Sequence, residues 1–313
     1  MNELLNATQW AATSKTRQDE IVNALVSQLN GFEIVEAKTY TSKQPIRIFS
    51  LREQATGIVF LLIPGGTFMM GFDETQERAL LELRRQLIED DRQDDVDIID
   101  RSITGIDFWY PVHLVRLAPF LLARFPLRWS EANKLISVDE SNFVYRNYLN
   151  GGPFPNADVA YLSMEEVEAF LQASGHVLPS ESQWEYACRA RSNTLFFWGN
   201  DSNLCLVENF DDEAANEAAS NGFGLVNMAF HGDICADVWH DNYEGAPSDG
   251  SPWLSVSEHS SHGEQVVRGG AAACYPWQGC GEWLSMLSAW RSGSSDCESL
   301  GVNVRLAHLL PVL

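Results

Sequence analysis

The chain has 313 residues, 45% hydrophobic and 11% aromatic, a balance that suits a folded globular protein and is too apolar for disorder. Twenty-one Lys and Arg face forty-three Asp and Glu, for a formal net charge of −22. So acidic a surface repels phosphate backbones and anionic lipid, which argues against nucleic acid and membrane as partners; the acidity itself is read first as a device for solubility, with a basic peptide or protein partner as the alternative. The opening MNELLNATQW has no basic start followed by an apolar run, and no stretch approaches the ~18 apolar residues of a membrane span, so neither a secretory leader nor a spanning helix is expected. The six cysteines are sparse and lack a CxxC pair, which suits a reducing, cytoplasmic compartment and excludes a zinc ribbon.

In chain order, residues 1–45 read as an N-terminal extension carrying one helix. Ile21, Val22, Leu25, Val26 and Leu29 recur at helical spacing, and Gly31 follows as the stop. IRIFSLREQATGIVFLLIP then reads as two β-rich runs around a turn at Ala55-Thr56-Gly57. Residues 73–110 form an acidic helical insertion: ETQERALLELRRQLI is amphipathic and runs into EDDRQDDVDIID, read as a solvated segment or as a docking arm for a basic partner. Ser163 with Glu166 and Ser180 with Gln183 are capping boxes, each satisfying free N–H groups where a helix begins. Beyond about residue 195, Gly, Asn, Asp, Ser and Trp dominate and periodic runs are short, as in a loop-rich half organised by short strands.

Several segments, in order, resemble the formylglycine-generating enzyme (sulfatase-modifying factor) family. They are IPGGTFMMG from Ile63, PVHLVRLAPFLLARFPLRWSEANK from Pro111, VLPSESQWEYACRA, FFWGN, NGFGLVNMAFHGD, DVWHDNYEGAPSDGSPW, and the closing VVRGG, LSAWRS and LGVNVRLA. The resemblance covers roughly residues 58–313. It implies an α+β class: a large C-type-lectin-like domain over 46–313, loop-rich, with short antiparallel sheets and two or three main helices. Most tryptophans supply core bulk to such a fold. Trp277 and Trp283 are set apart, because they lie in the segment that lines the family's binding groove.

The resemblance also implies chemistry. Catalytic members carry two cysteines after the closing Gly-Gly that bind copper(I), which soft thiolates suit. Cys274 stands at the expected distance after Gly269-Gly270, whereas Cys280 is one residue too far, and GEWLSML replaces the run that normally follows. The spacing favours two buried, inert thiols, with a copper or redox pair and a disulfide as the alternatives. Structural calcium in the family draws on positions matched here by Asn209 and Asp233, although the carboxylate of the usual GNVWEW element is missing. An iron centre of the kind used by sulfoxide-synthase relatives is not expected, because no histidines stand at i, i+4 and His259 and His262 lie in a polar loop.

Two functions follow as expectations. One is a non-catalytic family member that binds a peptide or protein in a C-terminal groove floored by Cys274, Tyr275, Trp277, Trp283, Trp290 and Arg291, since aromatic residues and arginine dominate recognition hot spots. The other is a copper-dependent oxidase that uses Cys274 and Cys280 to convert a substrate cysteine to formylglycine. A structural subunit docking through the acidic insertion is a third possibility.

Overall fold

The structure is a computed structural model describing residues 2–40, 45–103, 106–138, 159–201, 220–226, 228, 232–255, 264–270, 282–294 and 302–311. Its elements, in chain order, begin with helices α1 (Ala7–Ala12) and α2 (Lys15–Val26) and strands β1 (Phe32–Tyr40), β2 (Ile46–Glu53), β3 (Val59–Ile63) and β4 (Gly66–Met70). Helices α3 (Glu74–Glu89) and α4 (Gln93–Ile103) follow, then β5 (His113–Leu117), β6 (Phe120–Ala123), the short α5 (Trp129–Ala132) and β7 (Tyr161–Leu162). Helices α6 (Met164–Ser174) and α7 (Glu181–Arg189) precede β8 (Asp233–Val238), β9 (Gln265–Arg268), β10 (Arg291–Gly293), β11 (Val302–Asn303) and β12 (Ala307–Leu309).

Two five-stranded sheets organise the molecule. The first has the order β1-β2-β3-β6-β12 and is antiparallel throughout. The second has the order β10-β9-β8-β11-β7, with a single parallel contact where Asn303 faces Asp233. Strands β4 and β5 form a separate pair. The turn expected at Ala55-Thr56-Gly57 joins β2 to β3, with Gly57 at φ +80°. Phe60, Leu61, Leu62 and Ile63 of β3 and Phe120, Leu121 and Leu122 of β6 are buried, consistent with central strands covered on both faces.

The N-terminal segment is built into this core. Strand β1 pairs with β2 along its length, and Leu4, Trp10, Ile21, Val22 and Leu25 are buried. Each such apolar side chain contributes roughly 1.5–3 kcal/mol when removed from water. Trp10 Nε1 donates to the Arg47 carbonyl at 2.8 Å, and Ala7 N–H donates to the Gly65 carbonyl at 2.8 Å. A Cβ at Gly65 would lie 2.6 Å from the Leu117 carbonyl, so glycine lets the two segments meet.

The insertion is a helical hairpin. Leu80, Leu83 and Leu87 of α3 and Asp95, Val96 and Ile99 of α4 are buried, so the acidic stretch forms an amphipathic helix that carries its other acids toward solvent and pairs Asp95 with Arg92 at 2.8 Å. Asp73 and Gln76 form a third capping box at its start. The expected boxes at Ser163 and Ser180 are present, and Gly175 ends α6 in the left-handed region. Five helices of nine residues or more are described, because the N-terminal segment and the insertion add α2, α3 and α4 to α6 and α7.

Candidate functional site

All nine residues of α7 are buried. Glu181, Glu185 and Arg189 recur at i, i+4 and therefore share one face. That face meets the ends of β9 and β10, where Arg268 and Arg291 stand directly opposite each other in register. Arg268 donates to Glu181 Oε1 at 3.1 Å and to Glu185 Oε2 at 2.6 Å. Arg291 Nε lies 2.8 Å from Glu181 Oε1, and Nη2 donates to Glu181 Oε2 at 3.1 Å. Arg189 Nε donates to Glu185 Oε1 at 2.8 Å. Tyr243 completes the group by donating to Glu181 Oε1 at 2.9 Å.

Buried charges persist only when paired and hydrogen-bonded. Three guanidinium groups face two glutamates here, with Asp237 close by. Burial opposes ionisation of Glu185, but Arg189 and Arg268 outweigh it and hold the carboxyl below its ordinary value. Burial also opposes the charge on Arg268, yet Glu185 and its other neighbours raise it further. Asp237, buried and near Glu181, is pushed up to about 7 while accepting from the Glu181 and Trp253 N–H groups.

Of the residues expected to line the groove, Arg291 and Trp290 are described in full. Arg291 is a correction: its guanidinium is committed to Glu181 and to the Phe108 and His240 carbonyls, and it lies over the Trp239 ring at 4.4 Å. At 2% exposure it holds the frame and does not present itself to a ligand. Trp290 is half-buried, with its ring 5.8 Å from that of Trp109. Cys274, Cys280, Tyr275, Trp277, Asn209 and the side chain of Trp283 lie outside the described residues, although the Trp283 backbone belongs to a 3₁₀ turn over Glu282–Met286.

Asp233 is placed and is fully buried. It accepts from Trp184 Nε1 at 2.8 Å, Asn303 Nδ2 at 3.1 Å and Arg305 Nε at 2.8 Å. A cation at this carboxylate would have to displace a guanidinium, so Asp233 does not fit a calcium ligand. Among the described residues no group of three or more His, Cys, Asp and Glu is arranged to hold a metal. No described helix is long and apolar enough to cross a membrane.

The family model described as "Sulfatase-modifying factor enzyme 1-like domain" matches residues 47–307. The chain belongs to that family. Its α+β architecture of short sheets is the C-type-lectin-like fold of sulfatase-modifying factor proteins. The formylglycine-generating enzyme of Thermomonospora curvata is 23% identical over 290 aligned positions, covering 72% of this chain and 86% of that protein. The formylglycine-generating enzyme of Bos taurus is 25% identical over 174 positions, covering 50% of this chain; the match spans 45% of the bovine protein, somewhat under half its length. The solved structure of PvdO from Pseudomonas aeruginosa superposes with a TM-score of 0.54 at 18% identity, covering 83% of this chain and 98% of that one, a likeness of fold.

The ion network was missed in the sequence. Its signal was present: two glutamates and an arginine at i, i+4 in a helix otherwise carrying Trp184, Tyr186, Ala187 and Cys188, and arginines beside Val266-Val267 and Trp290. Charges in apolar settings are buried only in pairs.

Proposed function

We propose that this sulfatase-modifying factor family member binds a peptide or protein segment in a C-terminal aromatic-lined groove contributed by residues 269–291. The observation that supports this lies in the strands that bracket the segment. Arg268 and Arg291 face each other across two strands, and both are buried on the same carboxylate, Glu181. The two strands that bracket the aromatic-bearing segment therefore have a fixed base, and a fixed base lowers the ordering cost of recognition. Tyr275, Trp277, Trp283 and Trp290 are the contact residues, and the net charge of −22 favours a basic ligand. The test is a peptide array probed with the full chain and with Trp277→Ala. Basic peptides retained by the parent and lost by the variant support the reading. Equal retention, or none, overturns it.

The second reading is a copper-dependent oxidase acting on a substrate cysteine, supported by relatives that carry the name formylglycine-generating enzyme. The thiols of Cys274 and Cys280 are chemically suited to copper(I), which would activate dioxygen, the external oxidant that conversion of a thiol to an aldehyde requires. Competition for copper(I) against a chromophoric chelator separates the readings. One equivalent bound by the parent and lost in both Cys274→Ser and Cys280→Ser favours oxidation, provided a cysteine-containing peptide then gains an aldehyde. Unchanged stoichiometry removes this reading.

A further inference from the structure

Among the described residues, strand β4 pairs with β5 alone, which leaves it a second, outer edge. The register settles which residues use that edge. Arg116 N–H donates to the Ser248 carbonyl at 2.8 Å, so Arg116 turns its main chain away from β4. Residues directly opposite in an antiparallel pair share this sense, and the sense alternates along each strand. Thr67 stands opposite Arg116 and Met69 opposite Leu114, so Thr67 and Met69 direct their N–H and C=O groups away from β5.

The chain itself claims both ends of the outer edge. At one end Gly65 N–H donates to the Leu4 carbonyl at 2.9 Å, and the Gly65 carbonyl accepts from Ala7 N–H at 2.8 Å. At the other, Gly71 N–H donates to Glu185 Oε1 at 3.0 Å, and the Gly71 carbonyl accepts from Arg189 Nη2 at 2.8 Å. Between them, no hydrogen bond from a described residue reaches the outward main chain of Thr67 or Met69. Two donors and two acceptors stand open at the two-residue spacing of a strand edge.

Space lies beside these groups. A cleft of about 350 Å³ is lined by Gly66, Thr67, Phe68 and Met69, with residues 6–8 and 191–193 among its other walls. None of its lining residues belongs to 269–291, so it is separate from the groove proposed above. On one face of the ribbon, Met69 is 48% exposed and Leu114, opposite it, 56% exposed. On the other, the Phe68 ring lies 5.4 Å from that of Tyr186.

We propose that the outer edge of β4 takes an extended peptide from another protein as a third strand. Its main chain bonds to Thr67 and Met69, and apolar side chains at every second position cover Met69 and Leu114. The N-terminal segment, seated on Gly65, already uses the same edge in this way one position upstream of the open groups. A second copy of the chain is disfavoured, because two molecules at −22 repel each other; the added strand is therefore neutral or basic.

The test is calorimetric titration of the full chain with capped heptapeptides that alternate valine and threonine between terminal lysines. Binding is expected with a Kd below about 1 mM. N-methylation of one alternate set of peptide amides, the set facing β4, should weaken it at least about tenfold, and methylation of the other set should leave it unchanged. Met69→Pro removes an outward donor and spares the ladder to β5, so it should weaken binding while keeping the melting temperature. Hydrogen exchange read by NMR should slow at the Thr67 and Met69 amides when peptide is added. The methylation pattern and the exchange decide the matter even if Met69→Pro fails to fold. The proposal is overturned if no peptide binds, if both methylated sets bind alike, or if exchange at Thr67 and Met69 is unchanged. It is also overturned if Trp277→Ala abolishes binding that Met69→Pro retains, which would put the peptide in the C-terminal groove. Slow exchange of the two amides without peptide, speeding on dilution, would put a second copy on the edge and overturn it as well.

Discussion

Replacing Arg291 by methionine separates a frame residue from a ligand contact. The side chain is fully buried and makes four polar contacts: two to Glu181, at 2.8 and 3.1 Å, and two to the Phe108 and His240 carbonyls, at 3.0 and 2.9 Å. Methionine keeps much of the bulk against Trp239 and Tyr243 but donates nothing. Glu181 then retains Arg268 and Tyr243 on Oε1, while two backbone carbonyls lose a donor. Breaking a buried ion pair from one side costs about 3–5 kcal/mol, and the stranded carbonyls place the variant toward the upper end. That is a large part of the 5–15 kcal/mol typical of a folded domain. Urea unfolding should show a lower midpoint with an unchanged slope. Glu181→Gln should fall similarly, whereas Arg17→Met, which removes exposed pairs with Glu3 and Glu20, should match the parent. The reasoning fails if Arg291→Met stays within about 1 kcal/mol of the parent, and fails outright if such a variant loses peptide binding instead.

Asp237 should leave a signature in the pH dependence of stability. With its carboxyl pushed up to about 7, the folded chain keeps a proton that the unfolded chain has released, so its contribution falls as pH rises from the ordinary carboxylate range to about 7 and is flat above. Asp237→Asn should remove that downward slope from melting temperatures measured across the window; identical slopes would refute it. Cys188 and Cys235 are fully buried thiols, pushed upward by burial, Cys188 to about 12. Alkylation followed by mass spectrometry should leave both unmodified in the native protein and modify both in urea, and native labelling of either would contradict their placement. Ser163→Ala should cost about 1 kcal/mol as a lost helix cap. Ser180→Ala should cost more, because Ser180 Oγ also donates to the Gly250 carbonyl at 2.8 Å; equal losses would show that this contact contributes nothing.

What the sequence disclosed was mostly local. Capping boxes at Ser163 and Ser180 involve residues three apart, and the turn at Gly57 joins strands adjacent in the chain, so both could be read directly. Strand β1 could not, because its exposure does not alternate cleanly and its pairing with β2 is a tertiary fact. Helix α4 was hidden by its acids, its buried face resting on Asp95, Val96 and Ile99. Arg291 was misread because arginine among aromatics signals a recognition surface, while the carboxylate that claims it, Glu181, lies 110 positions earlier. The family frame was legible because its motifs occur in order, each a strand exit or helix start with its own local chemistry.

The first sheet opens with Phe32–Tyr40 at one margin and closes with Ala307–Leu309 at the other. The second has Val302–Asn303 wedged between β8 and β7. Both therefore stay unfinished until synthesis has nearly run through the region, and the earlier strands wait with a bare margin that invites mispairing. Cutting the chain just before residue 302 would strip a strand from each sheet at once, so an apparently minor clip near that end would unseat both halves of the molecule together.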